Sequence, residues 1–393
     1  MKRLMIVGAS VLQLPAILKA KEMGLYVGVA DYNPQAVGIQ YADEFFNAST
    51  MDEDAVLKAA EQFNPDGIMT LATDMPMRGV SRVSDKMHLH SISYETSFKA
   101  TDKYEMIKAF KAHGVPSPWY FVVDSIDEMR ALEGKLSYPC IIKPTDNAGS
   151  HGVAKVYSFE ELLGNYDYSH SSSRGGRVII EEYLDGPEVS VEVMVVDGDV
   201  HILQITDKIT TGAPHFVEMG HTQPSQLPFE TQNQIREVAE SACKSLGINK
   251  GPAHVEMKVT ARGPVMIELG ARMGGDNITT HLVPLSTGID MVRSTIKVAL
   301  GEEPDITPTL QCGSAIRYFD VPCGIIKAIE GREDAEKIPG VRQITFTKGV
   351  GEESTPIECS NDRIGFVIAQ AATAKEAADV CDRAMAIIRI EIE

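Results

Sequence analysis

The segment HVEMKVTARGPVMIELGARMGGD, residues 254 to 276, combines a hairpin pattern with two glutamates and a Gly-Gly turn. Two β-rich apolar runs flank the turn-forming residues 261 to 264, which is typical of an antiparallel hairpin. If the hairpin is symmetric about Arg262, Glu256 and Glu268 face each other, and like charges about 5 Å apart repel. A hard cation between the carboxylates relieves that repulsion, and Mg²⁺, or alternatively Mn²⁺, held by one or two carboxylates and nucleotide phosphates fits this need. The hairpin therefore predicts a metal site at Glu256 and Glu268.

Arg272 follows the second carboxylate by four residues and has the same strand parity. Its planar fork suits a phosphoryl group or a developing oxyanion, which predicts a catalytic role, whereas the alternative is an ordinary surface arginine. The turn at Gly274 and Gly275 indicates close packing around a ligand. Asp276 is expected to shape the same substrate wall.

A phosphate-binding pattern lies upstream, at Lys103, Lys143 and the loop from Thr145 to Val153. Glycines in that loop leave backbone N–H groups free to face phosphate oxygens, and a serine adds a hydroxyl. Lys143 ends an apolar strand, where a lone charge is costly, so a nucleotide phosphate is one expected partner and a snorkelling side chain is the alternative.

The segment EEYLDGPE, residues 181 to 188, is an apolar strand end that turns after a run of carboxylates. The extended backbone beside Tyr183 and Leu184 is suited to hydrogen-bond an adenine edge, and Glu188 to hold ribose hydroxyls. A solvated strand end is the alternative for this run taken alone.

Substrate selection is predicted for residues 212 to 228, where polar side chains interrupt an apolar, proline-bounded stretch. These side chains are His215, Glu218 and His221, and Glu218 is suited to an α-amino group. Each of them has satisfied loop hydrogen bonding as an equal alternative.

Composition excludes several protein classes. The 393 residues carry a formal charge of −18, which opposes binding to nucleic acid or anionic lipid. The N-terminus runs directly into a strand-like segment and no stretch approaches about 18 apolar residues, so we expect a cytoplasmic protein that does not span a membrane. The six cysteines show no metal-ligand spacing and are expected to be free thiols.

The first 95 residues alternate strand and helix patterns, which predicts a parallel α/β unit. Gly8 with Asp31 suggests a dinucleotide site, but one glycine stands where that fingerprint needs three, so a Rossmann oxidoreductase is disfavoured. Capping boxes predict helices starting at Thr50, Ser125, Ser158 and Thr373, and residues 169 to 177 are expected to form a mobile loop.

Taken in order, Lys103, IIKP, AGSHGV, EEYLDGPEVSVE, Glu256 and ELGARMGGD resemble the ATP-grasp superfamily along residues 96 to about 305. The tail is similar to the C-terminal lobe of L-amino-acid ligases and biotin-carboxylase-like members. The resemblance implies α/β and α+β architecture in three parts: a Rossmann-like pre-ATP-grasp domain (1–95), an ATP-grasp domain (96–310, with a lid at about 115–185) and an α+β lobe (311–393). The sequence departs from the family at Gly270, where many members have Asn, and at His151, where many have Arg.

The resemblance implies an enzyme that forms a carbon–nitrogen bond from a carboxylate and an amine through an acyl phosphate, using ATP and Mg²⁺. It also implies that the ATP phosphates are covered by Ser150, His151, Gly152 and Val153, and that adenine is contacted by Glu182, Tyr183 and Leu184. Its implied partners are a small-molecule carboxylate, such as an amino acid, and a small-molecule amine, and family members are often homodimers. The alternatives left open are a carbamoyl-phosphate-synthase-like or carboxylase-like enzyme that activates bicarbonate, and a non-catalytic nucleotide-binding regulator.

Overall fold

A computed structural model describes residues 1–147 and 151–393. The N-terminal unit is a parallel sheet with helices packed around it, as the alternating sequence pattern predicts. Its elements are β1 (Arg3–Val7), α1 (Leu14–Glu22), β2 (Tyr26–Asp31), β3 (Glu44–Asn47), α2 (Glu53–Phe63), β4 (Gly67–Met69) and α3 (Pro76–Met87). The strand order is β3-β2-β1-β4. The carboxyl ends of these strands, where α/β sheets commonly bind ligands, face the cleft described below.

Two helices lead from this unit to a small antiparallel sheet. The elements are α4 (Tyr94–Thr101), α5 (Lys103–Ala112), β5 (Tyr120–Val123), α6 (Ile126–Arg130), β6 (Cys140–Pro144), β7 (Ala154–Val156), α7 (Phe159–Gly164), α8 (Tyr166–Ser172) and β8 (Val178–Glu182). The strand order is β5-β8-β6-β7, with an apolar cluster of its own between the sheet and α6 and α7. This sheet forms one wall of the cleft.

A large antiparallel sheet carries the opposite wall and continues into the C-terminal part. It begins with β9 (Glu188–Val196), β10 (Asp199–Thr210), β11 (Glu218–Gln223), α9 (Phe229–Leu246), β12 (Gly251–Thr260) and β13 (Gly263–Gly270). It is followed by α10 (Val283–Thr287), α11 (Met291–Ala299), β14 (Gly313–Tyr318), β15 (Gly324–Glu330), α12 (Arg332–Glu336), β16 (Val341–Phe346), β17 (Glu353–Ser354), β18 (Gly365–Ala371), α13 (Ala374–Ile387) and β19 (Arg389–Ile392).

The order of the large sheet is β13-β12-β9-β10-β11-β14-β18-β16, and β17-β15-β19 form a smaller one. Residue 310, the predicted boundary, lies between α11 and β14. Because β11 pairs with β14, one hydrogen-bonded sheet includes strands from both sides of that boundary. A single apolar cluster joins Val56 and Phe63 of the N-terminal unit to Val191 and Leu246 of the large sheet and its helix. The N-terminal unit is therefore packed firmly against the sheet that carries the hairpin.

Local signals predicted most helix starts correctly. Ser125, Ser158 and Thr373 each accept a hydrogen bond from a backbone N–H three residues on, as N-cap residues do. The prediction at Thr50 is wrong, because Asp52 caps α2 by accepting from the backbone of residues 54 and 55. Asp52 therefore holds the N-cap position that the pattern assigned to Thr50.

The loop predicted from residue 169 to 177 is wrong in its first half, because residues up to Ser172 belong to α8. The remainder is tied down by Asp146, whose carboxylate accepts hydrogen bonds from the backbone N–H groups of Arg174 and Gly175. In the described parts of the chain, no helix combines the length and apolar character needed to cross a bilayer.

Candidate active site

One cleft of about 660 Å³ lies between the small sheet, the hairpin and the carboxyl ends of the N-terminal strands. Most predicted site residues line it: Lys103, Lys143, His151, Val153, Glu182, Tyr183, Leu184, Glu188, Glu218, His221, Glu256, Glu268, Arg272, Gly275 and Asp276. Gly152, His215 and Gly274 are outside its lining. Ser150 lies outside the described residues, together with Ala148 and Gly149.

The two acidic residues of the hairpin face each other as predicted. Glu256 on β12 is the cross-strand partner of Glu268 on β13, and a bulge beside this pair shifts the register. The turn itself is centred between Ala261 and Arg262, because Thr260 pairs with Gly263. Without the bulge, Glu256 would face Ile267, so one extra residue in β13 produces the pairing that symmetry about Arg262 predicted.

Each carboxylate of this pair is held by a lysine whose side chain is largely shielded from solvent. Lys208 Nζ lies 3.2 Å from Glu256 Oε2, and Lys103 Nζ lies 2.8 Å from Glu268 Oε2. Burial would raise the pKa of Glu256, but Lys208 and His254 hold it well below its usual range. Burial acts the same way on Glu268, and Lys103 lowers the pKa of Glu268 below its usual value. Both groups are therefore carboxylates at neutral pH, the donor type that a hard cation requires.

His254 extends this network into the protein interior. Its Nδ1 lies 2.8 Å from Glu192 Oε1 and its Nε2 lies 2.9 Å from Glu256 Oε1. Burial alone would lower the pKa of His254, but the two carboxylates raise it to about 9, so both ring nitrogens carry protons at neutral pH and donate. A Cβ at Gly274 would lie 2.5 Å from His254 Nδ1. Gly274 thus makes room for the histidine that supports Glu256, which is a role behind the cleft wall and not at its surface.

Lys103, the first residue of α5, contacts the first residues of the glycine loop. Asp102 caps this helix, accepting from the backbone of Tyr104 and Glu105. The backbone N–H of Lys103 donates to Thr145 O at 2.8 Å, and its Nζ donates to Asn147 O at 2.9 Å. Burial would lower the pKa of Lys103, but the attraction of Glu268 outweighs burial and raises it. This lysine therefore stays charged between the loop and the hairpin.

Lys143 is not the lone charge that the sequence suggested. Its Nζ lies 2.6 Å from Glu181 Oε2 on the neighbouring strand, and the two side chains are 7% and 8% exposed. A phosphate is therefore not needed to offset the charge, although both residues line the cleft. The snorkelling alternative is also wrong, because the charged end of the side chain is buried against a partner.

The segment predicted to meet adenine and ribose lies along one side of the cleft. Glu182 is bound by Arg262 from the hairpin turn, with 2.7 Å between Oε1 and Nη2. Lys155 Nζ lies 3.5 Å from the centre of the Tyr183 ring. Glu188 accepts from Lys208 at 2.7 Å through Oε1 and lies 3.1 Å from Lys258 Nζ through Oε2. The carboxylates here are paired, so the solvated strand end expected as an alternative does not describe Glu188.

The predicted substrate segment meets residues from the C-terminal part of the chain. His221 Nε2 lies 3.2 Å from Asp276 Oδ2, and Arg363 grips both oxygens of Asp276 at 2.7 and 2.9 Å. Burial would raise the pKa of Asp276, but Arg363 and His221 hold it below its usual value. Glu218 lies 3.4 Å from Lys208 Nζ. Glu218, His221 and Asp276 thus share one wall of the cleft with the residues that hold Glu256.

Sequence reasoning missed several charged residues that complete the site. Glu192 interrupts the apolar strand β9, and a charge inside such a strand is a signal that could have found it. Lys208 lies in the more polar strand β10, which gave no comparable signal. Asp74 follows β4 at the carboxyl edge of the parallel sheet, where ligand sites gather. Arg363 gave no local signal, because its partner Asp276 is 87 residues away.

The dinucleotide alternative is not supported by the arrangement of Asp31. Its Oδ2 accepts from the backbone N–H of Ala9 at 2.8 Å, and its Oδ1 accepts from that of Asn33 at 2.9 Å. The carboxylate that would hold a ribose is thus used to shape the turn after β1.

Two family models match parts of the chain, and one of the matched ranges includes both strands of the hairpin in the cleft. Residues 136–281 match the ATP-grasp domain, and residues 317–393 match the L-amino acid ligase C-terminal domain 2. The chain contains an ATP-grasp domain followed by an L-amino acid ligase C-terminal domain. As predicted, it is an enzyme of the class that forms a carbon–nitrogen bond, and its family uses ATP and a divalent metal ion.

Individual proteins give the same result. The chain is 26% identical over 324 residues to alanine–anticapsin ligase from Bacillus subtilis, covering 76% of this chain and 67% of that protein. Its fold is similar to an L-amino acid ligase from Bacillus licheniformis, with a TM-score of 0.85 and 23% identity over 100% of this chain and 99% of that one. It is also similar to a phosphoribosylglycinamide synthetase from Anaerococcus prevotii, with a TM-score of 0.81 and 26% identity over 100% of both chains. The predicted fold class is therefore confirmed.

Proposed function

We propose that this ATP-grasp ligase joins a carboxylate, such as an amino acid, to an amine through an acyl phosphate, giving an amide, ADP and phosphate. The observation that carries the proposal is the facing pair Glu256 and Glu268, held by Lys208 and Lys103 in the cleft that also contains Arg272. The similarity to L-amino acid ligases supports an amino acid as one substrate.

The cations of the cleft are suited to change partners when nucleotide binds. Lys103 is paired with Glu268 and Lys143 with Glu181, so their charge is already offset inside the protein. We assign phosphate contacts to both lysines, adenine contacts to residues 182 to 184 and ribose contacts to Glu188. When bound, Mg²⁺ would supply charge neutralisation at the transferring phosphoryl group, and Glu256 and Glu268 would hold it.

The reaction proceeds in two displacements. A carboxylate oxygen of the substrate attacks the γ-phosphorus of ATP, and the bond from that phosphorus to ADP breaks. The amine nitrogen then attacks the acyl carbon, loses a proton to solvent, and the bond between carbon and phosphate oxygen breaks. Arg272 lines the cleft beside the metal carboxylates and is assigned to the oxyanion of the tetrahedral intermediate.

We assign substrate recognition to the wall formed by Glu218, His221 and Asp276. Glu218 provides a carboxylate for an α-ammonium group, and Arg363 fixes Asp276 from the C-terminal side. Gly275 lines the cleft beside Asp276, and His215, which is outside the cleft lining, is retained only as a candidate on the adjoining loop. The predicted homodimer stays a prediction that mass photometry can check.

The test is release of ADP from Mg-ATP with paired pools of carboxylates and amines, using the wild type, Glu268→Gln and Arg272→Ala. Glu237→Gln, an exposed glutamate on α9, is the matched control and should behave as the wild type. The proposal expects ADP release that needs both pools and falls at least about 100-fold in the two site variants. ADP release that needs bicarbonate instead would indicate a carboxylase-like enzyme, and tight ATP binding without ADP release would indicate a regulator; either result contradicts the proposal.

A further inference from the structure

We propose that Asp74, contributed by the N-terminal unit, is the positioning residue that orients Arg272 towards the reaction centre, and that Gly270 is required to make room for this pair. The inference rests on the proposed function, in which Arg272 contacts the tetrahedral oxyanion. It adds to that function a residue from outside the ATP-grasp and C-terminal matches.

The contact between the two side chains is close on both oxygens. Arg272 Nε lies 2.8 Å from Asp74 Oδ1, and Nη2 donates to Oδ2 at 2.8 Å. A third contact, from Nη1 to Met273 O at 3.3 Å, fixes the other edge of the guanidinium. The side chains are 10% and 18% exposed, and both residues line the cleft. The pair is therefore shielded from bulk water while remaining beside the reacting groups.

Gly270 explains a departure from the usual family sequence. A Cβ at this position would lie 2.5 Å from Asp74 Oδ1 and 2.8 Å from Arg272 Cζ, closer than real Cβ contacts come. Its backbone is not in the left-handed region, so the glycine is needed for space and not for conformation. Any side chain here, including the Asn of many members, would displace the ion pair.

Asp74 is itself held in place by the loop after β4. Gln13 Nε2 donates to Leu71 O at 2.6 Å, and the backbone N–H of Met77 donates to Asp74 O at 2.9 Å. Ala72 lies in the left-handed region at a φ of 62°, an unfavourable conformation for alanine that is common near functional sites. The loop thus presents the carboxylate from a fixed backbone.

This arrangement gives Arg272 a defined direction and a stable charge. Burial would lower the pKa of Arg272, but Asp74 raises it above its usual value. A long side chain without such a partner samples many rotamers, and a misplacement of about 1 Å at a reaction centre costs about 100-fold in rate. Loss of Asp74 is expected to slow the step that Arg272 serves and leave nucleotide binding nearly unchanged.

The orientation can be measured without any substrate by the ¹H–¹⁵N signal of the Arg272 side-chain Nε–H group, assigned by its loss in Arg272→Lys. In the wild type we expect a restrained group with an order parameter of about 0.8, falling below about 0.6 in Asp74→Asn and in Gly270→Ala. Glu22→Gln is the matched control, because Glu22 also joins the N-terminal unit to a later helix through Arg293 at 2.7 Å but lies away from the cleft. An Nε–H group that stays equally ordered in Asp74→Asn overturns the proposal.

Rapid-quench kinetics then tests the consequence. In Asp74→Asn and Gly270→Ala, the first-turnover burst of ADP and the Kd for ATP should stay within about twofold of the wild type, while steady-state amide formation falls about 10- to 100-fold. Equal loss of the burst and of amide formation, or no loss of either, overturns the positioning role. Absence of turnover by the wild type with every pool would instead contradict the proposed function, and the side-chain signal would still decide whether Asp74 orients Arg272.

Discussion

The buried pair of Lys143 and Glu181 allows folding and nucleotide binding to be separated. The side chains are only 7% and 8% exposed and lie 2.6 Å apart, so the full penalty for an unpaired buried charge applies without a discount for solvent. Lys143→Met leaves the Glu181 carboxylate without this partner, and the free energy of unfolding should fall by about 3–5 kcal/mol. Removing both charges in Lys143→Met/Glu181→Leu should restore most of that loss, because apolar replacement of both partners is often nearly neutral.

The measurement is urea unfolding followed by far-UV circular dichroism, with ATP affinity from calorimetry. Both Lys143 variants should lose ATP affinity at least about tenfold if Lys143 contacts phosphate, even though the double variant is stable. Lys244→Met is the matched control, because Lys244 pairs with Glu240 on the exposed face of α9 and should cost under about 1 kcal/mol. A double variant as unstable as the single one would contradict the cost assigned to the unpaired Glu181 carboxylate. A stable double variant with full ATP affinity would contradict the phosphate contact of Lys143.

Three further predictions follow from the cleft. Gly274→Ala places a Cβ 2.5 Å from His254 Nδ1 and should lower the free energy of unfolding by about 1–3 kcal/mol. Gly164→Ala is the control, because a Cβ on this helical residue meets open space, and it should not lower that free energy. Urea unfolding that gives wild-type stability for both variants would contradict the prediction. Because Arg363 lowers the pKa of Asp276, their ion pair should stabilise the fold fully above about pH 4, and this contribution should be lost as the pH falls further. The difference in free energy of unfolding between the wild type and Asp276→Asn should therefore shrink from pH 6 to pH 3 in urea titrations. A difference that stays constant over this range would contradict the pairing. Mg-ATP at about 100 times its Kd should raise the free energy of unfolding by about 2.7 kcal/mol, and a chelator added with ATP should remove most of that gain in the same assay if the metal bridges protein and phosphate.

Local sequence patterns predicted the elements of the fold and the facing carboxylates, because strand alternation and capping depend on residues near one another. The hairpin shows the limit of such reasoning. Glu256 and Glu268 are opposed because of a bulge near Ile267, and a bulge cannot be inferred from symmetry. The predicted pair is therefore correct although the predicted turn centre, Arg262, is half a residue from the observed one.

The partners of the predicted charges could not be predicted, because they come from distant parts of the chain. Lys143 was expected to need a ligand, yet strand pairing of β6 with β8 places Glu181 beside it. Asp74 meets Arg272 across 198 residues, and only the packing of the N-terminal unit against the hairpin brings them together. Residue types therefore indicated which chemistry the site holds, while tertiary packing determined how each charge is balanced.

The central claim, an acyl phosphate formed in this cleft, is tested most directly with a carboxylate substrate labelled in both oxygens with ¹⁸O. The carboxylate that best supports ADP release is incubated with Mg-ATP and its amine, and the released phosphate is analysed by mass spectrometry. An acyl-phosphate intermediate should give one ¹⁸O atom in each phosphate, because the oxygen that attacks the γ-phosphorus leaves with it when the amine displaces phosphate. Unlabelled phosphate released together with amide would contradict an acyl-phosphate intermediate.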